Sequence, residues 1–182
     1  MTIKSSVISA GFIVLPHRIN TIGISGAVLI IIGQGNIIQL VRRLSIKGAT
    51  GKMIRYKTND AVDIDRLVFL FDEAGWPKKA ADRERLCHMI KNTDLIVTAW
   101  DDESMIGFAR CTTDHVFNGQ INNVVVDAKY RKRGIGSHLV TMIIESNPKV
   151  TYMLRTEDEN ESFYKKMGFK TADRALIYER KE

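Results

Sequence analysis

Two spacings alternate along residues 53–182 and together lay out a mixed α/β domain. Ile64, Leu67, Val68 and Phe71 recur at helical intervals, as do Leu86, Met89 and Ile90, and later Leu139, Val140, Ile143 and Ile144. Each set forms one apolar face of a helix. Asn59 is the expected N-cap of the first helix, which Gly75-Trp76-Pro77 ends, and the second is predicted over residues 80–92. Residues 53–57, 95–100, 105–111, 121–127, 150–155 and 176–180 read as strands, with a hairpin loop at 101–104. Thr156 with Glu159 has the spacing of a capping box, which predicts a short helix over residues 157–167, closed by Gly168. This order predicts an α/β fold with a mixed sheet and helices on both faces.

The first 52 residues are different material. They contain six basic residues (Lys4, Arg18, Arg42, Arg43, Lys47 and Lys52) and no acid, whereas residues 53–182 hold 21 basic and 21 acidic residues. The formal charge of +6 therefore belongs to the extension, and the balanced remainder gives no electrostatic case for a nucleic-acid partner. About 130 residues suffice for one well-buried domain. Residues 19–41 are 23 residues without charge, long enough to span a bilayer, although only 22–32 are densely apolar. The basic residues after that stretch would leave the C-terminal domain in the cytoplasm. A targeting segment fits the acid-free composition too, and so does a tail or upstream read ahead of a domain beginning at Met53. Cytoplasmic and membrane-anchored placements both stay open, and a membrane is a partner only if residues 19–41 are a true span.

Chemistry concentrates where the run Val124-Val125-Val126 meets Arg131-Lys132-Arg133-Gly134-Ile135-Gly136. A strand enters a two-glycine loop and a helix follows, so the helix's first-turn N–H groups lack intrahelical partners. Aligned peptide dipoles make that end attractive to an anion. Gly134 and Gly136 carry no Cβ, which lets a phosphate approach the backbone. Arg131 can add a charge-assisted hydrogen bond. The stretch Arg131–Ser137 thus reads as a diphosphate cradle. Its alternatives are a plain strand-to-helix turn or a nucleic-acid patch, the latter without interleaved aromatics.

Arg-x-x-Gly-x-Gly here resembles the coenzyme A signature of the GCN5-related N-acetyltransferase (GNAT) family. Phe163-Tyr164-Lys165-Lys166-Met167-Gly168-Phe169 resembles that family's closing motif, about thirty residues further on. The resemblance extends through Leu70–Pro77, Ile106–Arg110, Asp114–Asn118 and Val124–Asp127 to a branch with plant and cyanobacterial aralkylamine-type N-acetyltransferases, and covers residues 53–182. It implies a mostly antiparallel sheet, acetyl-CoA as cosubstrate with no metal, and direct attack of an amine on the thioester. Val124, Val125 and Val126 would pair with the pantetheine arm. Arg131, Lys132, Arg133, Gly134, Ile135, Gly136 and Ser137 would hold the diphosphate, and Tyr164 would protonate the departing thiolate. The bland reading of Tyr164 is a packing residue. The acceptor is a small-molecule amine or a protein lysine, with a homodimer left open.

Two departures bear on chemistry. Asn122-Asn123 replace the Trp-Asp usual in the branch, so Asn123 cannot act as a carboxylate. Glu157 stands where an asparagine is common. An incoming ammonium must still lose a proton, and Asp114 and Asp127 are the candidate bases. A non-catalytic acyl-CoA-binding module, or a membrane-tethered regulatory one, is the alternative function. Cys87 and Cys111 are expected to be reduced, buried thiols. His17, His88, His115 and His138 lack metal-ligand spacing, although His115 could relay a proton. Trp76, Trp100 and Phe117 could line an acceptor pocket or belong to the core.

Overall fold

The computed structural model describes backbone strands at residues 12–14, 19–24, 27–32 and 38–41, and residues 51, 53–172 and 175–178. Chain contacts divide the protein into two units, Met1–Lys47 and Gly48–Glu182. In the first unit β1 (Phe12–Val14), β2 (Ile19–Ile24), β3 (Ala27–Ile32) and β4 (Ile38–Val41) form an antiparallel meander. The stretch weighed as a bilayer span thus contains three strands. Among the described residues no helix is long and apolar enough to cross a membrane.

The second unit runs β5 (Arg55–Thr58), α1 (Ile64–Glu73), α2 (Pro77–Ala81), α3 (Arg83–Lys91), β6 (Leu95–Asp101), β7 (Ser104–Thr113), β8 (Asn118–Val126), α4 (Ile135–Ser146), β9 (Thr151–Leu154) and α5 (Asp158–Lys166). Its five-stranded sheet follows chain order. The first four strands are antiparallel and β9 joins β8 in parallel. On one face Leu67, Leu70 and Phe71 of α1 pack with Met105, Phe108 and Val125. On the other, Ile135, Leu139, Val140 and Ile143 of α4 are fully buried. Burying such a side chain contributes about 1.5–3 kcal/mol, so these two faces hold the unit together. A Cβ at Gly107 would come within 3.2 Å of Leu139 Cδ1 and 3.3 Å of Ala99 Cβ. Glycine lets α4 lie this close to the sheet without its neighbours giving way by a few tenths of an ångström.

Several expected boundaries move for physical reasons. Asp63, not Asn59, caps α1, its Oδ1 accepting from Arg66 N at 3.0 Å. Asn59 instead adopts φ +48° and clamps β6, bonding Ile96 N and Asp94 O. The helix expected over 80–92 is two helices. Pro77 starts the first, and Asp82 leaves helical geometry to cap the second through Arg85 N. The capping box before α5 does not form: Glu157 is the N-cap without a side-chain bond, and the Thr156 hydroxyl faces Glu157 O at 3.4 Å. Gly168 does end that helix, at φ +95°. Residues 176–178, expected in a strand, are outside any ladder and exposed, and 179–180 lie outside the described residues.

Candidate active site

The two parallel strands at the sheet's far side part company. β8 and β9 pair from Asn118↔Thr151 to Ile121↔Leu154 and then stop, while β8 continues to Val126. The cause lies in β8 itself. Asn122 faces Arg110 and Val125 faces Phe108, so Asn123 and Val124 together oppose the single residue Ala109. This β-bulge is held by Asn123 at φ +49°, a left-handed conformation that asparagine tolerates better than most residues. Arg110 Nε donates to Asn123 Oδ1 at 2.8 Å and braces the bend. Burial draws the Arg110 pKa below its ordinary value. Beyond the bend, Asp127 N bonds across to Ile106 O, whereas Val126 O accepts from Arg131 Nε on the outer side. By strand alternation the amides of Val124 and Val126 also turn outward, where no strand pairs with them among the described residues.

The gap is a cleft of about 650 Å³. At one end stands the first turn of α4. Gly134 is its N-cap at φ +81° and no side chain caps the helix, so the leading amides remain available. A Cβ at Gly136 would lie 3.5 Å from Phe163 Cζ and 3.7 Å from Val126 Cγ2, in ordinary van der Waals contact with both. Ile135 is buried and anchors the turn, and Ser137 Oγ donates back to Gly134 O. The three basic residues divide. Lys132 lines the cleft at φ +62°. Arg131 also lines it, but bonds Val126 O and approaches Glu73 at 3.7 Å. Arg133 is not among the lining residues and lies over the Tyr130 ring, 5.3 Å from its centroid.

Tyr164 closes the opposite side, edge-on between Phe163 and Phe169 with ring centroids 4.9 and 5.8 Å away. Burial raises its pKa above the ordinary tyrosine value, which keeps the hydroxyl protonated and able to donate. Of the two expected bases, neither lines the cleft. Asp114 Oδ1 accepts from the backbone of Val116, Phe117 and Asn118 at 2.7–2.9 Å, and these bonds depress its pKa, Asn118 most. It is the keystone of the β7–β8 loop. Asp127 is buried, paired with Arg66 Nη2 at 2.9 Å, and caps the 3-10 turn after β8 through Lys129 N. The carboxylates that do line the cleft are Glu157 and Glu159.

Other expectations sort similarly. Trp76 lines the cleft, Trp100 belongs to the core with its Nε1 on Thr98 Oγ1, and Phe117 is 72% exposed on a loop. Cys111 is buried, and burial pushes its pKa up to about 11, but Cys87 is exposed. His115 is exposed in the β7–β8 loop, while His138 packs on Tyr56 with centroids 4.2 Å apart. Among the described residues no three His, Cys, Asp or Glu side chains group as metal ligands. Tyr130, whose hydroxyl donates to buried Asp101 at 2.8 Å, and Asn160 are lining residues that sequence reasoning missed. Neither stands in a motif; the capping aspartate before Tyr130 was the available signal.

Comparison with known proteins converges on one family. Residues 92–171 match the acetyltransferase (GNAT) domain. The uncharacterized N-acetyltransferase ycf52 of Pyropia yezoensis is 29% identical over 125 residues, covering 65% of this chain and 71% of the relative. A histone acetyltransferase, TAP1, of Glycine max is 27% identical, covering 66% of this chain and 57% of its own length, so the chain spans little more than half of that relative. A GNAT family acetyltransferase from Streptococcus pneumoniae TIGR4 superposes with a TM-score of 0.62 at 24% identity, over 71% of this chain and all of the other. The PaiA N-acetyltransferase of Thermoplasma acidophilum, solved in complex with coenzyme A, shares the fold at a TM-score of 0.54 and 19% identity, over 67% of this chain and 92% of the other. The splayed strands and the glycine-opened turn of α4 both lie inside the stretch that matches the GNAT acetyltransferase domain.

Proposed function

We propose that this protein transfers an acetyl group from acetyl-CoA to an amine acceptor by direct attack within the β8–β9 splay. One observation carries the reading: a single cleft joins unpaired strand backbone, an uncapped helix N-terminus and a protonated tyrosine. Acetyl-CoA, when bound, supplies the activated thioester. The residues fit it, because Gly134 supplies the left-handed turn and Gly136 keeps the turn free of a side chain. The first-turn amides of α4 and Lys132 bind the diphosphate. The outward amides of Val124 and Val126 orient the pantetheine arm and donate toward the thioester carbonyl. Tyr164 gives its proton to the leaving sulfur. Glu157 and Glu159 are the carboxylates available to take the proton that an ammonium must lose. Positioning of two reactants supplies the remaining acceleration.

Release of free thiol from acetyl-CoA, followed over a panel of amines, tests the reading. Amine-dependent release supports it, whereas tight coenzyme A binding without release from any amine favours a non-catalytic module. The domain from Met53 onward carries this activity without the basic extension. A protein of residues 53–182 that matches the full chain in turnover would bear that out.

A further inference from the structure

Beside the apex of the splay, where Ile121↔Leu154 is the last pair, stand hydrogen-bond donors without acidic partners among the described residues. Arg110 Nε is a donor and nothing else, so the oxygen of the Asn123 amide must face it, as the 2.8 Å contact has it. The Asn123 Nδ2 group is thereby turned away from Arg110, and Asn123 lines the cleft. Arg110 itself is half-buried and desolvated, yet its side-chain partner is uncharged, and no carboxylate pairs with it among the described residues. Arg155, the residue after β9, lines the same cleft and likewise has no ion pair among the described residues. Arg155 is exposed, so the desolvated cation is Arg110, and such a charge without a counter-ion is costly unless an anion binds beside it.

The acids that line the cleft sit at the start of α5, Glu157 as its N-cap two residues after Arg155 and Glu159 within its first turn. The two sets of charges match a zwitterion, with an ammonium toward α5 and an anion toward Asn123. We infer that the apex recognises a carboxylate, and that the acceptor is an amine that also carries one, as a free amino acid does. Asn123 and Arg155 touch the carboxylate, and Arg110 is a positioning residue that fixes the Asn123 amide. This assignment rests on the transferase reading above and names its acceptor class.

Matched pairs that differ only in the α-carboxylate test it: L-tryptophan and tryptamine, L-phenylalanine and phenethylamine, L-lysine and cadaverine. Calorimetry on the full chain loaded with coenzyme A gives binding, and thiol release gives kcat/KM. In at least one pair the amino acid should bind about tenfold or more tighter than its decarboxylated partner, the scale of one charge-assisted hydrogen bond. Asn123→Asp keeps a residue that tolerates the left-handed backbone and satisfies Arg110, but puts a carboxylate into the cleft. It should abolish or reverse that preference. Arg110→Met should shrink the ratio between each amino acid and its amine, a change that a general loss of cleft structure, lowering both alike, would not give. Amino acids that bind no better than their amines in every pair, absence of binding included, overturn the inference. So does a preference that survives Asn123→Asp. Failure of the transferase reading is seen separately, as acetyl-CoA that does not bind when titrated alone or that releases no thiol with any amine.

Discussion

The two walls of the cleft are built by opposite means. The wall of β8 and α4 is sunk into the protein, with Val125, Ile135, Leu139, Val140 and Ile143 all buried. What it offers the cleft is mainly backbone: outward strand amides, a left-handed glycine and an uncapped first turn. The wall of β9 and α5 is thin. β9 has four residues and is an edge strand among the described residues, and α5 contains no buried residue and no side-chain cap. It contributes side chains, with Tyr164, Asn160 and Arg155 among those lining the cleft. The contrast teaches a division of labour. On the proposed reading, the constant ligand would be held by atoms that substitution cannot change, and the chemistry that differs between acceptors would fall to exchangeable groups on a lightly packed surface.

The strongest way to break the backbone wall is Gly134→Glu. An L-residue at φ +81° costs about 1–2 kcal/mol of strain, and the new carboxylate would face the diphosphate. Acetyl-CoA binding should vanish from calorimetry while circular dichroism stays native, and unchanged affinity would refute the cradle. On the opposite wall, Tyr164→Phe should lower kcat by about 10²–10⁴-fold with little effect on acetyl-CoA affinity. Burial raises the Tyr164 pKa, so the alkaline fall in kcat that it governs lies above pH 10, and the Phe variant should lose that limb. Turnover of the variant within about threefold of the parent would leave positioning alone as the source of rate.

Smaller changes sharpen the contrast. Gly136→Ala meets Phe163 and Val126 only at 3.5 and 3.7 Å, so the fold accepts it, and helix propensity should raise stability by about 0.5–1 kcal/mol. Acetyl-CoA should nonetheless bind severalfold more weakly; a rise in both quantities would show that the cradle has room to spare. Asp114 belongs to neither wall, and Asp114→Asn should leave turnover within about threefold, against the 10²–10⁴-fold expected of a base. Its backbone bonds lower the folded-state pKa, so its stabilising effect is present above the unfolded carboxylate value and fades as pH falls through the folded one. Acid melting curves of the two proteins should therefore converge at low pH and differ at neutral pH.

Much of this division was legible in the sequence, and unevenly so. The helical faces at Leu67–Phe71 and Leu139–Ile143 and the glycine spacing at 134 and 136 appear as local patterns, so residues and roles could be named together. Asp114 and Asp127 could not be separated from true cleft carboxylates, because a carboxylate that caps a turn and one that faces a ligand look alike without distances. Asn123 was noticed only as a missing acid, since its left-handed backbone and its bond to Arg110 depend on a strand partner thirteen residues away. The split at Asp82 was hidden for the same reason that caps often are: one polar residue in an otherwise helical run signals nothing until the backbone turns.

The extra residue at Asn123-Val124 also makes this chain intolerant of miscounting. Strand side chains alternate with a period of two, and the bulge is the only offset between the halves of the β7–β8 ladder. Deleting either residue would let the ladder run evenly from Asn122↔Arg110 to Val125↔Phe108 and remove the bend that parts β8 from β9. A gap of one in an aligned relative at this point would therefore mark a protein whose cleft is built differently, even where every glycine of the α4 loop is retained.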